Sequence, residues 1–169
     1  MNLKTTTSVL VLAAVASFAN ASGAAQDKTA YDWLAGNDKY SKFVMLIDKA
    51  DMKDAWNNEN MRFTIFAPMN SAFDRVPQDK LDMIMNDSEK AKMLVKYHMV
   101  GGAKYGLTDL RTRNSLSMSR RADGKASMVS ITEEGAFVKI NEAFITDPEH
   151  WVGMGVVHGI NRVLMPMNW

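Results

Sequence analysis

The sequence predicts an α+β fold. Three observations carry that expectation: helical spacing of apolar residues dominates 40–98, short β-like pieces dominate 105–164, and one strand-like stretch at 61–66 interrupts the helical half. Helices first and strands later, with one early strand returning to the sheet, is how segregated α+β domains read along the chain. The sequence carries no internal repeat and no low-complexity tract.

The first 21 residues differ from the rest. Lys4 lies in a polar start, "MNLKTTTS"; the apolar run Val9 to Ala16 follows; "SFANA" then places Ala19 and Ala21 in an A-x-A arrangement. This three-part pattern predicts a secretory signal peptide over 1–21, cleaved after Ala21. The apolar run is shorter than the about 20 residues a spanning helix needs. Residues 22–30, "SGAAQDKTA", read as a flexible leader, 31–166 as one domain and 167–169 as a tail.

Within the domain, Tyr40, Phe43, Val44 and Ile47 fall at i, i+3, i+4 and i+7 and make one apolar helix face, which Asn37 or Asp38 can cap. A short helical piece is expected at 51–56 and a turn at "NNEN", 57–60. Phe63, Thr64, Ile65 and Phe66 suit a strand that Pro68 stops, and Asn70 suits the N-cap of a short helix bearing Ala72 and Phe73. Beyond Pro77, Leu81, Ile84 and Met85 share one side of a helix. Ser88 is expected to cap the next, in which Ala91, Leu94, Val95 and His98 repeat the helical spacing before Gly101 and Gly102 end it. Strands are then expected around 105–111, 114–120, 126–132, 136–141 and 154–164, with Asp123-Gly124 as a hairpin turn.

Composition removes several function classes. The chain has 169 residues and no cysteine, so disulfides, thiolate zinc and a lipid-modified cysteine anchor are excluded. Removing Lys4 with the signal peptide takes Lys+Arg from 20 to 19, against 19 Asp+Glu, a formal charge of zero. A neutral chain with scattered charge argues against nucleic-acid partners. Arg111, Arg113, Arg120 and Arg121 spread over an expected hairpin and read as a solvated edge. No second long apolar segment follows the first, so no transmembrane anchor is expected.

Three stretches together resemble the fasciclin domain family. "TIFAPMNSAF" (64–73) resembles its first signature block, Tyr97-His98 falls where the family carries a Tyr-His pair, and "VVHGINRVLMP" (156–166) resembles its last block. The resemblance spans about 31–166 and implies a wedge-shaped β-sheet core with several small helices packed on it. It implies a non-catalytic domain acting in adhesion, with an extracellular protein or a matrix or envelope component as partner; the signal peptide makes the expected location periplasmic or extracellular. Some members of the family are associated with small apolar ligands, so a carotenoid-like pigment held against Trp33, Trp56, Trp151 or Trp169 is the alternative. Two departures stand out: Met154-Gly155 replaces the usual Asn-Gly, and Asn161 replaces the usual Asp, keeping a hydrogen-bond acceptor without its charge. The Asp-Ile pair associated with integrin binding is absent from "ITDPEHW", and "RAD" at 121–123 is not Arg-Gly-Asp.

The candidate partner-binding residues are Tyr97, His98, His150 and Trp151. His98 shares the apolar stripe and is expected to point inward with its polar atoms satisfied, whereas Tyr97 is expected at a boundary. His158, flanked by apolar residues, is expected to be structural, and His150 to be the freest histidine, in a loop over 147–151. No histidine pair has ligand spacing, and the 14 methionines are dispersed as core filler, so neither zinc nor copper is expected. No G-x-S-x-G elbow occurs, and Glu133 and Glu134 are neighbours on a strand or turn, so no catalytic residue and no cofactor is expected.

Overall fold

The computed structural model describes residues 28–58, 60–119, 127–166 and 169. The expected signal peptide, most of the leader and the Asp123-Gly124 turn lie outside the described residues. Helices α1 (Ala30–Ala35), α2 (Ser41–Lys49) and α3 (Lys53–Trp56) precede strand β1 (Phe63–Pro68); α4 (Asn70–Phe73), α5 (Gln78–Asn86) and α6 (Ser88–Tyr97) follow it. Then come β2 (Met99–Gly101), α7 (Leu107–Arg111), β3 (Ser115–Ser117), β4 (Met128–Glu134), β5 (Phe137–Ile140), β6 (Ala143–Val152) and β7 (Gly155–Ile160).

The strands form one seven-stranded sheet in the order β2-β1-β7-β6-β5-β4-β3. Among the described residues only β1 and β7 run parallel; Phe66 sits opposite His158 and Ala67 opposite Gly159. The two sequence blocks that carry the resemblance are therefore adjacent central strands. Both are buried along their whole length, which explains why they read as continuous apolar runs. Phe63, Ile65 and Ala67 turn to a core shared with α1, α2, α3, α5 and α6. Phe66 turns to a second core lined by β3, β4, β5 and β6. The expected wedge of sheet thus curls almost to closure: its edge strands β2 and β3 approach where the Ser119 N–H donates to the Met99 carbonyl over 2.7 Å.

Several boundaries differ from the sequence expectation. Residues 107–111 are helical because the Asp109 carboxylate accepts from the Gly106 N–H at 3.1 Å and Leu110 is buried at i+3 from Leu107. Asp87, not Ser88, caps α6, accepting from the N–H groups of Glu89 and Lys90. Helix α6 ends at Tyr97, and His98 is its C-cap, ahead of the two glycines. Asn70 does not cap its own helix. Its Oδ1 accepts from the Lys42 N–H at 2.9 Å and its Nδ2 donates to the Asp38 carbonyl at 2.8 Å. The first block thereby satisfies an orphan donor at the start of α2. The expected 147–151 loop is the interior of β6, which carries register shifts on both sides of Asp147. Pro148 has no N–H to give the ladder, which confines it to such an irregularity.

Candidate functional site

The two buried histidines are structural ties. His98 is fully buried. Its Nδ1–H donates to the Leu94 carbonyl at 2.8 Å, and its Nε2 accepts from the Leu164 N–H at 2.9 Å. One imidazole therefore joins the end of α6 to the segment after β7. His158 does the same work on the other side: Nε2–H donates to the Tyr105 carbonyl at 2.8 Å, Nδ1 accepts from the Glu149 N–H at 3.2 Å, and the ring stacks on Phe66. Each arrangement uses one donor and one acceptor, so each ring is neutral.

Burial pushes the His98 imidazole down to about 4, against the Leu94 carbonyl that favours the cation, and burial likewise lowers His158. Both groups protonate more readily in the unfolded chain. Stability is therefore full above the ordinary value of 6.5 and falls as pH drops toward about 4, where folded His98 itself accepts a proton. Urea midpoints measured at pH 7.5 and pH 5 should show the lower value at pH 5; equal midpoints would mean the imidazoles are accessible to protons in the fold.

Tyr97 is not a boundary residue. It is only 5% exposed and packs in the second core. Its hydroxyl lies 3.5 Å from Asn141 Nδ2. The spacing argument placed it off the apolar face of α6, but β-strands wrap that side of the helix end as well.

His150 and Trp151 face opposite sides of β6, as strand neighbours must. His150 Nε2 bonds Asp147 Oδ1 at 2.8 Å, and its ring lies tilted against Trp33 with centroids 4.6 Å apart. Asp147 Oδ2 accepts from the Tyr40 hydroxyl at 2.9 Å and lies 3.4 Å from Lys39 Nζ. Burial works against the Asp147 carboxylate, but the bonds from His150 and Tyr40 and the nearby positive charge hold it below the usual carboxylate range. Burial and the same bond push the Tyr40 phenol up. Among the described residues, Asp147 is the side-chain hydrogen-bond partner of His150, and no hydroxyl bonds its ring. The pair ties the irregular part of β6 to the helices.

Trp151, on the other side, is 40% exposed. Lys104 Nζ sits 5.9 Å from its ring centroid, and the ring lies against Gly106. Glu149 has φ of 60°, a left-handed conformation unusual for a side-chain-bearing residue. Its Oε1 accepts from the Leu107 N–H at 2.8 Å, which secures that turn. Sequence reasoning missed Tyr40, Asp147, Glu149 and Gly159 as organisers of this region. Only Gly159, inside an otherwise apolar block, carried a local signal.

The first and last fasciclin-like blocks are thus adjacent strands, β1 beside β7. The family profile of the fasciclin domain matches residues 38–166. The chain belongs to the fasciclin domain family. Transforming growth factor-beta-induced protein ig-h3 of Sus scrofa is 25% identical over 143 residues, which cover 82% of this chain but 19% of that protein. Protein sll1483 of Synechocystis is 28% identical over 134 residues, covering 78% of this chain and 70% of that one. A FAS1 domain pair from the insect cell adhesion molecule fasciclin I shares the fold, with a TM-score of 0.70 at 18% identity, over 84% of this chain and 52% of that one.

The two departures from the family pattern have local explanations in this domain. Asn161 Oδ1 accepts from the Phe144 N–H at 2.9 Å, a bond that needs an acceptor but no charge. Gly155 lies beneath the Phe63 ring, which occupies the place of a Cβ there. The glycine of the usual pair is thus retained for close packing, and Met154 before it is exposed.

Proposed function

We propose that this fasciclin domain is an exported, non-catalytic binding module whose partner is an extracellular protein or a matrix or envelope component. The observation that carries the reading is Trp151, a large aromatic left 40% exposed on a β6–β7 hairpin that also exposes Met154. Aromatic anchors of this kind dominate interface energetics. Lys104 beside the ring adds a polar rim. Family membership supports the reading, as does the fold shared with an insect cell adhesion molecule. Of the four residues expected to make contact, Trp151 and half-buried His150 reach the surface, whereas Tyr97 and His98 are buried.

The pigment alternative holds a small apolar ligand against Trp33, Trp56, Trp151 or Trp169. Trp56 is buried in the helix-side core, Trp33 and Trp169 pack against that core, and Trp33 also lies against the His150 ring, which leaves Trp151 as the exposed tryptophan among the described residues. The binding reading is therefore preferred. Its test is to immobilise the purified protein and measure capture of purified envelope or matrix components, then repeat with Trp151→Ala. An interface anchor should lose about thirtyfold in affinity, the equivalent of about 2 kcal/mol. A folded Trp151→Ala protein that captures as well as the parent removes this surface from consideration.

A further inference from the structure

We propose that the cleft between α5, the β5–β6 turn and the segment following β7 binds an amphiphilic monoanion, an acyl chain ending in a carboxylate. This goes beyond the partner-binding reading and concerns the opposite end of β6 from Trp151. The cleft has a volume of about 370 Å³, within the size range of small-molecule sites. Ala72, Val76, Leu164 and Met165 supply an apolar lining. Arg75, Lys80 and Arg162 stand around it, against the single carboxylate of Glu142.

The charges and the lining together select the ligand. Neither Arg75 nor Arg162 is ion-paired among the described residues. Lys80 Nζ donates to the main-chain oxygen of Trp169, so the two guanidinium groups are the cations left to receive an anion. Guanidinium forks match carboxylate geometry. An inorganic anion would satisfy the arginines but leave the apolar lining wet, and a neutral lipid would leave the arginines unused. A carboxylate with an acyl chain matches both.

The back of the cleft is held by the Tyr-His pair. His98 Nε2 fixes the main chain at Leu164, and Tyr97 abuts Asn141, a lining residue with φ of 51° whose Oδ1 also accepts from the Ser130 N–H. Buried residues with no surface of their own thus shape a surface cleft. Tyr97 and His98 are positioning residues for it.

The test titrates the full chain with decanoate, decanol and inorganic phosphate by calorimetry, alongside an Arg75→Ala/Arg162→Ala variant. Both arginines are exposed, so the variant should keep the parent's melting temperature. Decanoate should bind once per chain, and the variant should bind it about tenfold or more weakly. Decanol and phosphate should each bind far more weakly than decanoate. The proposal is overturned if decanoate shows no saturable binding, if the folded variant binds it equally, or if decanol or phosphate matches it. It is also overturned if the protein sediments with phosphatidylglycerol vesicles while ignoring free decanoate, since the cleft would then read a lipid surface.

Discussion

Replacing His98 with alanine is expected to destabilise the domain by about 3 kcal/mol, the sum of an unpaired buried backbone donor and an unfilled cavity. The donor is the Leu164 N–H, which has His98 Nε2 as its partner, and the ring also packs against Phe43. Because Tyr97 is buried too, an alanine scan cannot separate the two members of the pair: Tyr97→Ala would remove a packed aromatic and also be severe. Tyr97→Phe separates them. It keeps the packing and loses only a 3.5 Å contact to Asn141, so it should cost less than about 1 kcal/mol. Urea unfolding of both variants decides the matter. A His98→Ala midpoint equal to the parent's would mean that the tie between α6 and the segment after β7 carries no stability.

Gly159→Ala should be comparably damaging, by about 2–4 kcal/mol, from overpacking plus a lost hydrogen bond. A Cβ at this position would collide with the Tyr40 hydroxyl and come within 2.7 Å of Asp147 Cβ. Tyr40 is fully buried and cannot swing away, so the bond from its hydroxyl to Asp147 would break or β7 would shift away from β6. Adding Tyr40→Phe removes the colliding oxygen and should restore part of the lost stability to the double variant. If the double variant is as unstable as the sum of the singles, the conflict lies with Asp147 or the backbone.

Much of the fold was legible. The early strand, the amphipathic faces and the order of elements all follow from side-chain period and turn chemistry, which are local. His98 pointing inward was legible for the same reason: it extends an apolar stripe whose members are one helical turn apart. Apart from helix α7, the errors fall where a distant segment decides. Helix α7 depends on Asp109 reaching back to Gly106, a local signal that β-like residues around it obscured. Asn70 has the right chemistry for a cap, but the donor it satisfies belongs to a helix about 30 residues earlier. Residues 147–151 read as a loop, yet Tyr40, Lys39 and His150 converge on Asp147 and keep that segment in the sheet.

The sequence by itself determined the α+β class, the return of one early strand to the sheet, and the absence of any cysteine chemistry. These depend on residue type and spacing along the chain. The tertiary structure alone decided which polar groups are spent internally and which remain outside. Tyr97 is enclosed because β-strands close over the end of α6, His150 is held because Asp147 is already anchored by Tyr40, and Arg75 and Arg162 line one cleft although they stand 87 positions apart in the chain. Such groupings arise from long-range packing, in which each side chain's partner is fixed by the folding of a remote segment, and no local period records that choice.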